Sequence, residues 1–492
     1  MSATPAMTMA LLAPIAAALL IPAARQRPNL REAVSLLAAL LTFVAVASLF
    51  AAVSDGARPE LRLFEFFPGA GIAFVVEPLG LGFGLVASFL WFVTVIYAVG
   101  YMRAHHERNQ TRFYSFFALA IAATVGAAFA GNLLTLYLLY ESLTLATWPL
   151  VTHGGGDKDR AGGRTYLLVL FGTSLSFLLF ALGWTYVLTG TLEFTPGGVF
   201  MQEGRLVAGV GPATLAALYA LFLFGTGKAA LMPFHRWLPA AMVAPTPVSA
   251  LLHAVAVVKL GVFTILKVTV YIFGIDVFRE FSTGRIMQHV AAITLLTAAV
   301  IALREDNLKR RLAYSTVSQL AYIVLAASLA NELSLIAGGM QIVAHAFAKI
   351  TLFFCAGIIL VSLHKNKVSE LDGIGRAMPV TMTAWFVASL CVIGLPFTGG
   401  FWSKWYLAQG ALVAGEPLFV GVVLLGSLLA VGYLLPPAVR AFFPPPEIRV
   451  TCATRVETPP VAVSALALTA AISALLFFAG PPILGFLEEF AQ

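Results

Sequence analysis

The chain carries little charge for its length. Only 11% of its 492 residues are Asp, Glu, Lys or Arg, and 60% are hydrophobic. Soluble domains carry about 25% charged residues, so this composition excludes a soluble enzyme or binding domain. Apolar runs of 18 or more residues recur along the chain, and each is long enough to cross a bilayer as a helix. We therefore expect an all-α integral membrane protein.

Cysteine and histidine are also scarce. The three cysteines, Cys355, Cys391 and Cys452, are too few for a disulfide framework and lack metal-site spacing. His105 and His106 share a polar loop whose composition does not indicate a metal site. The sequence has no quinone, flavin or iron–sulfur motif. We expect no metal and no cofactor in this chain.

The apolar runs predict about fourteen membrane spans. Basic residues follow the first apolar run, whereas a cleaved signal peptide carries them in front. The first run is therefore expected to be a retained helix with its N-terminus outside. The predicted spans are 6–24, 33–53, 75–102, 113–130, 132–152, 165–190, 208–235, 248–273, 288–303, 312–330, 333–363, 379–410, 417–439 and 460–487.

The basic residues provide an independent test of this count. Of the 30 lysines and arginines, 20 lie in odd-numbered connections, 5 in even-numbered connections and 5 inside predicted spans. Because cytoplasmic loops are enriched in Lys and Arg, this alternation supports fourteen helices with both termini outside. The expected location is a cytoplasmic (inner) membrane of the bacterial type.

A few ionisable residues lie inside predicted spans. Of the 23 acidic residues, only one falls well within a span, and a charge at that depth costs about 2.5–3.5 kcal/mol. Removal from water favours the neutral form of an amine or a carboxylate, so such groups can exchange protons, and imidazoles can pass protons between them. These residues are Glu141, Lys228, His253, Lys259, His345, Lys349 and Lys404.

One further lysine has a different expectation. Lys267 lies near the outer end of the eighth predicted span. Long basic side chains near helix ends commonly extend to the membrane interface. We therefore expect Lys267 to snorkel to that interface.

Two predicted spans are interrupted by proline. Pro233 follows Lys228 by five residues, and Pro396 precedes Lys404 by eight. Proline removes a backbone hydrogen bond, and lipid tolerates the freed groups only where protein or a wet cavity satisfies them. Paired broken helices indicate an ion path between structural repeats.

Four stretches resemble the proton-translocating antiporter-like subunits shared by Mrp-type cation/proton antiporters, respiratory complex I and membrane-bound hydrogenases. The stretches are GKAALMPFHRWLPAAMVAPTPVSALLHAVAVVKLGVF (227–263), NLKRRLAYSTVSQLAYI (307–323), HAFAKITLFFCAG (345–357) and GLPFTGGFWSKW (394–405). The resemblance covers roughly 75–440. It implies two inverted five-helix repeats, helices 4–8 and 9–13, with helices 7 and 12 broken. The implied units are 1–110, 111–275, 276–440 and 441–492.

The resemblance also implies a role for each buried ionisable residue. Glu141 would pair with Lys228, Lys259 would connect two half-channels, and His345 with Lys349 would form a relay. Lys404 would serve the outer half-channel. From the residues themselves, His235, Ser315 and Ser318 are candidates for an inner channel. Two alternatives remain. His235 would then be an interfacial anchor, and the two serines would bond back to their own helix.

Three functions are compatible with these observations. The favoured function is a proton-translocating subunit of a multi-subunit complex, without a redox centre of its own. A stand-alone transporter of an organic solute would need polar groups for that solute around the broken helices. A haem-carrying cytochrome would need pairs of intramembrane histidines as axial ligands, and His253 and His345 both sit beside lysines.

The choice of complex depends on one position. One complex I subunit of the family has glutamate where this chain has Lys404, which favours an Mrp-type or hydrogenase-type subunit. The absence of a long lateral helix after the last span argues against the longest members of the family. A proton-pumping membrane-arm subunit of a complex I-like assembly is the alternative. The implied partners are other membrane subunits, H⁺, Na⁺ or K⁺, and the bilayer, with no nucleic acid.

Overall fold

The computed structural model describes residues 3–202, 204–251, 255–445 and 456–491, and most of them are helical. The helices of the first half are α1 (Ala3–Leu20), α2 (Pro28–Ala47), α3 (Phe50–Ser54), α4 (Pro78–Ala104), α5 (Gln110–Ala128), α6 (Leu133–Val151), α7 (Asp157–Thr173), α8 (Leu179–Thr189), α9 (Pro212–Gly225), α10 (Trp237–Ala240), α11 (Thr246–Ala250), α12 (Val257–Lys267) and α13 (Ile275–Phe281).

The second half contains eight further helices within the described residues. They are α14 (Arg285–Arg304), α15 (Leu308–Leu329), α16 (Glu332–Leu363), α17 (Pro379–Ile393), α18 (Gly400–Val413), α19 (Pro417–Phe442), α20 (Pro460–Leu475) and α21 (Gly480–Glu488). His253 and Cys452 lie outside the described residues.

The expectation of a helical membrane protein is confirmed. In the described part of the chain, nine helices are long and apolar enough to cross a bilayer, and up to eleven if each of two bent helix pairs is one span. The two halves of the bent pairs meet at 77° and 73°. Because α9 and α17 are apolar but shorter, the count of fourteen crossings stays a prediction.

Two helices end before the prolines that we expected to break them. Helix α9 ends at Gly225, eight residues before Pro233, and Lys228 lies in the 3₁₀ turn that follows. Close packing explains this position, because a Cβ on Gly227 would overlap the hydroxyl of Thr173 on α7. Helix α17 ends at Ile393, and Pro396 lies in the turn before α18.

Two antiparallel strand pairs lie among the helices, and the sequence did not predict either. Strands β1 (Glu60–Phe67) and β2 (Ala70–Val75) form one hairpin, and β3 (Met201–Gln202) pairs with β4 (Arg205–Leu206). Asn132 joins the first hairpin to α6: its side-chain amide donates to the carbonyl of Gly71 at 3.0 Å, while its carbonyl oxygen caps α6 at Thr135. The hairpin therefore fixes the start of α6.

Helix α16 is the centre of the second half. It is 32 residues long, it is buried over most of its length, and it packs against α15, α17, α18 and α20. Gln341, His345 and Lys349 follow one another at four-residue spacing on this helix, which places them along one side. An unbroken helix thus carries polar side chains through the most buried part of the protein.

The expectation that Lys267 snorkels to the interface is wrong. Its side chain is buried, and its ammonium group donates to the carbonyl of Ala130 at 2.8 Å. It also forms an ion pair with Glu77 at 3.3 Å. Glu77 in turn caps α4 and accepts a hydrogen bond from the hydroxyl of Tyr271 at 3.2 Å. Because its partners come from distant parts of the chain, the pair ties α4 and α12 together.

Replacing Lys267 by Met should destabilise the protein by about 3 kcal/mol, since it leaves a buried carboxylate without its counter-ion. Thermal unfolding of the detergent-solubilised protein measures this. Lys367→Met, at an exposed lysine, is the matched control. In the double variant Glu77→Gln/Lys267→Met, part of the loss should return. An unchanged melting temperature for Lys267→Met would contradict the structural role of the pair.

Candidate proton path

Lys228 is held inside the bundle by α6. Its backbone N–H donates to the hydroxyl of Tyr140 at 3.0 Å. Its ammonium group donates to the carbonyl of Tyr140 at 2.8 Å and to the hydroxyl of Thr144 at 2.6 Å, and lies 3.1 Å from the centre of the Tyr140 ring. The side chain is fully buried. Two uncharged oxygen acceptors and one aromatic ring on a single helical turn therefore bind this amine.

Glu141 lies on the neighbouring face of α6. Both carboxylate oxygens are buried and, within the described residues, neither has a hydrogen-bond partner. No hydrogen bond therefore joins Glu141 to Lys228 in the described chain, although the resemblance to the family implies that the two residues pair. Lys228 binds the face of α6 that carries Tyr140 and Thr144. Because successive residues of a helix point about 100° apart, Glu141 lies to one side of that face.

The turn that carries Lys228 packs tightly on α12. A Cβ on Gly261 would overlap the backbone nitrogen of Ala229 and would lie 2.5 Å from the carbonyl carbon of Lys228. Only glycine allows this approach. The same helix carries Lys259 two residues earlier. Helix α12 therefore connects the first buried lysine with the second.

Lys259 and His345 are in direct contact at the centre of the bundle. The amine of Lys259 lies 2.7 Å from Nδ1 of His345 on α16, and both side chains are buried. Lys349, one turn further along α16, donates to the hydroxyl of Ser315 at 2.6 Å and lies 3.3 Å from the carbonyl of Leu312 on α15. The structure thus brings three of the predicted residues together.

Lys404 lies near the start of α18, and its side chain reaches back to the end of α17. Its ammonium group donates to the carbonyls of Val392 and Ile393 at 2.9 and 2.7 Å, and to the hydroxyl of Ser427 at 2.9 Å. The last carbonyls of a helix have no partner within the helix, and a cation there is favoured by the helix dipole. Lys404 therefore caps the end of α17.

The inner-channel candidates meet at α15. The ring of His235 lies 6.3 Å from the ring of Tyr314, and its Nδ1 is buried without a hydrogen-bond partner among the described residues. Ser315 follows Tyr314 and binds Lys349, as described above. Ser318, one turn later, has a buried hydroxyl that is likewise unpartnered within the described chain.

Sequence reasoning missed the groups that hold the lysines. Tyr140 and Thr144 have the four-residue spacing of one helix face, and this was the available signal. The carbonyls of Val392 and Ile393 have no such signal, because every residue carries one. Each lysine in this path is therefore recognisable from the sequence, but most of its partners are not.

Comparison with known proteins matches this chain to one membrane family. The family described as "NADH:quinone oxidoreductase/Mrp antiporter, TM" matches residues 130–430. The chain is 35% identical to NADH-quinone oxidoreductase subunit N of Desulforudis audaxviator, over 74% of this chain and 72% of that protein. It is 31% identical to subunit L of Mycobacterium tuberculosis, over 78% of this chain but 58% of that longer protein.

A solved structure shares the fold. The structure of the Mrp complex from Dietzia sp. DQ12-45-1b contains a chain that superposes on this one with a TM-score of 0.86 at 22% identity. The superposition covers 100% of this chain and 97% of the other. The likeness in fold therefore extends over the whole chain.

Replacing Gly261 by Ala should displace the turn that carries Lys228. The added Cβ overlaps backbone that cannot rotate away, and overpacking of this kind costs about 1–3 kcal/mol. We expect proton transport in vesicles to fall by about tenfold and the melting temperature to fall as well. Gly183→Ala is the matched control, since a Cβ there meets nothing within 4 Å. Equal transport by both variants would contradict the tight packing.

Proposed function

Because the chain belongs to the NADH:quinone oxidoreductase/Mrp antiporter transmembrane family, we propose that it moves protons as one membrane subunit of a multi-subunit complex. The observation that carries this proposal is the series of buried amines through the bundle, Lys228, Lys259, Lys349 and Lys404. Buried ionisable groups of this kind mark proton and ion paths in membrane proteins.

The first step of the proposed relay is at α6. Glu141 has a carboxylate with unused acceptor capacity, and Lys228 is bound nearby by uncharged groups. A rotation of the Glu141 side chain toward Lys228 would form an ion pair, which favours the protonated amine. Separation would favour release of that proton to the next group. The pair would thus act as a switch with two arrangements.

The second step crosses the centre. The amine of Lys259 and Nδ1 of His345 are at hydrogen-bond distance, so a proton on the amine can pass to the imidazole when that nitrogen is unprotonated. Lys349 lies one turn further along α16 and is the next acceptor. His253, which lies outside the described residues, is proposed as the link between Lys228 and Lys259.

The path ends at the two membrane surfaces. His235, Ser315 and Ser318 are proposed to line an inner entrance, and Lys404 an outer exit. Pro233 and Pro396 flank the corresponding helix breaks. We propose that 111–275 and 276–440 are the two inverted repeats, between the N-terminal unit 1–110 and the C-terminal unit 441–492. In the proposed orientation both termini are outside a bacterial-type inner membrane.

Two assemblies are compatible with this role. Lys404 favours a cation/proton antiporter or hydrogenase-type complex, in which Na⁺ or K⁺ would be exchanged for H⁺. The 35% identity with a subunit N over 72% of its length favours a complex I-like membrane arm instead. In both cases the chain contacts other membrane subunits, and these subunits supply the driving reaction.

The test uses everted membrane vesicles that contain the assembled complex. A pH-sensitive dye reports proton movement after addition of Na⁺, of K⁺ or of NADH, and the effective driver distinguishes the two assemblies. Glu141→Gln and Lys228→Ala should each lower the rate by about a hundredfold, the scale of a lost proton-transfer group. Lys367→Met, at an exposed lysine, is the control. Wild-type rates in both relay variants, at wild-type amounts of protein, would refute the relay.

A further inference from the structure

Helix α15 contacts two of the buried lysines at different points. Ser315 binds the amine of Lys349, and the ring of Tyr322 lies 4.8 Å from the amine of Lys404. Seven residues separate Ser315 from Tyr322, which is two helical turns and about 10 Å along the axis. The two amines thus contact α15 about two turns apart. A connection between them needs polar groups midway along α15.

Gln319 stands at that midpoint and is part of a chain of hydrogen bonds across three helices. Its side-chain carbonyl accepts from the amide of Gln341 on α16 at 2.9 Å. The carbonyl of Gln341 accepts from the hydroxyl of Ser403 on α18 at 2.5 Å. Ser403 immediately precedes Lys404. We call Gln319, Gln341 and Ser403 the glutamine bridge.

Burial makes the glutamine bridge unusual. Gln319, Gln341 and Ser403 are 1%, 5% and 2% exposed. A buried amide is unfavourable unless hydrogen-bonded, and apolar side chains would fill the same space at lower cost. Moreover, the Nε2 atom of Gln319 and the hydroxyl of Ser318 are buried without a hydrogen-bond partner within 3.5 Å in the described part of the chain, and the hydroxyl of Tyr433 on α19 faces both of them. Polar groups of this kind are satisfied by bound water.

We propose that the glutamine bridge is the link in the relay between Lys349 and Lys404. An amide does not gain or lose a proton near neutral pH, so Gln319 and Gln341 are positioning residues. They orient the hydroxyl of Ser403 and water beside Ser318, and these carry the proton between the two amines. The inference rests on the proposed function, since it concerns the same relay.

A purely structural role for the bridge makes different predictions. A helix crosslink would need only the hydrogen bonds and the packing, so its loss would lower stability with no specific effect on transport. Gln288 provides the comparison within the same bundle. It is also buried, and its amide donates to the carbonyl of Ser328 on α15 at 2.9 Å, but among the described residues no hydrogen bond joins it to the relay.

The experiment compares Gln341→Leu, Gln341→Glu and Gln288→Leu in vesicles with the assembled complex. Gln341→Leu should lower proton transport by at least about tenfold at wild-type amounts of protein. Gln341→Glu keeps the shape and the acceptor, so transport should persist, with an altered pH profile because a titratable group has entered the path. Gln288→Leu should transport normally. Ser403→Ala, a smaller change in packing, should lower transport in the same direction as Gln341→Leu.

Three results would overturn the glutamine bridge. They are transport by Gln341→Leu within about twofold of wild type, an equal loss in Gln341→Glu and Gln341→Leu, or an equal loss in Gln288→Leu. Lys349→Met, measured in parallel, separates the two proposals. If Lys349→Met abolishes transport and Gln341→Leu does not, only the proposed role of the glutamine bridge is refuted. If Lys349→Met transports normally, the proposed function fails with it.

Discussion

An ammonium group inside an apolar bundle must be hydrogen-bonded, and the architecture around the buried lysines follows from that constraint. Lys228, Lys349 and Lys404 are all bound by uncharged oxygen atoms, and Lys259 by an imidazole nitrogen. Such partners stabilise an ammonium group less strongly than a carboxylate does. An amine held in this way can therefore give up its proton, whereas Lys267, paired with Glu77, is suited to a structural role.

The broken helices provide some of these uncharged acceptors. A continuous helix uses its carbonyls internally, but the end of α17 leaves those of Val392 and Ile393 for Lys404. The break after α9 has a different role. It provides no acceptor, but it places Lys228 itself in a turn that reaches α6. Tight glycine contacts at Gly227 and Gly261 hold that turn against α7 and α12. The two halves of the molecule thus place a lysine at a helix break by different means.

Much of this arrangement was predictable because charge in a membrane is costly. Glu141 and the four lysines of the relay stand out in any sequence that is 60% hydrophobic. The first hairpin was not predictable, since Leu63, Phe64, Phe66 and Phe67 are all exposed and show no alternation between buried and exposed positions. The partner of Lys267 could not be predicted either, because Glu77 is distant from it in sequence. The glutamines of α15 and α16 have no sequence signal beyond their polarity.

The cap on α17 has an evolutionary consequence. Position 404 faces the negative end of a helix dipole, with two carbonyl oxygens directed at it. A carboxylate in the same place could accept a hydrogen bond from the hydroxyl of Ser427, but it could donate to neither carbonyl. Exchange of lysine for glutamate at this point would therefore leave the last carbonyls of α17 without the donor that Lys404 provides.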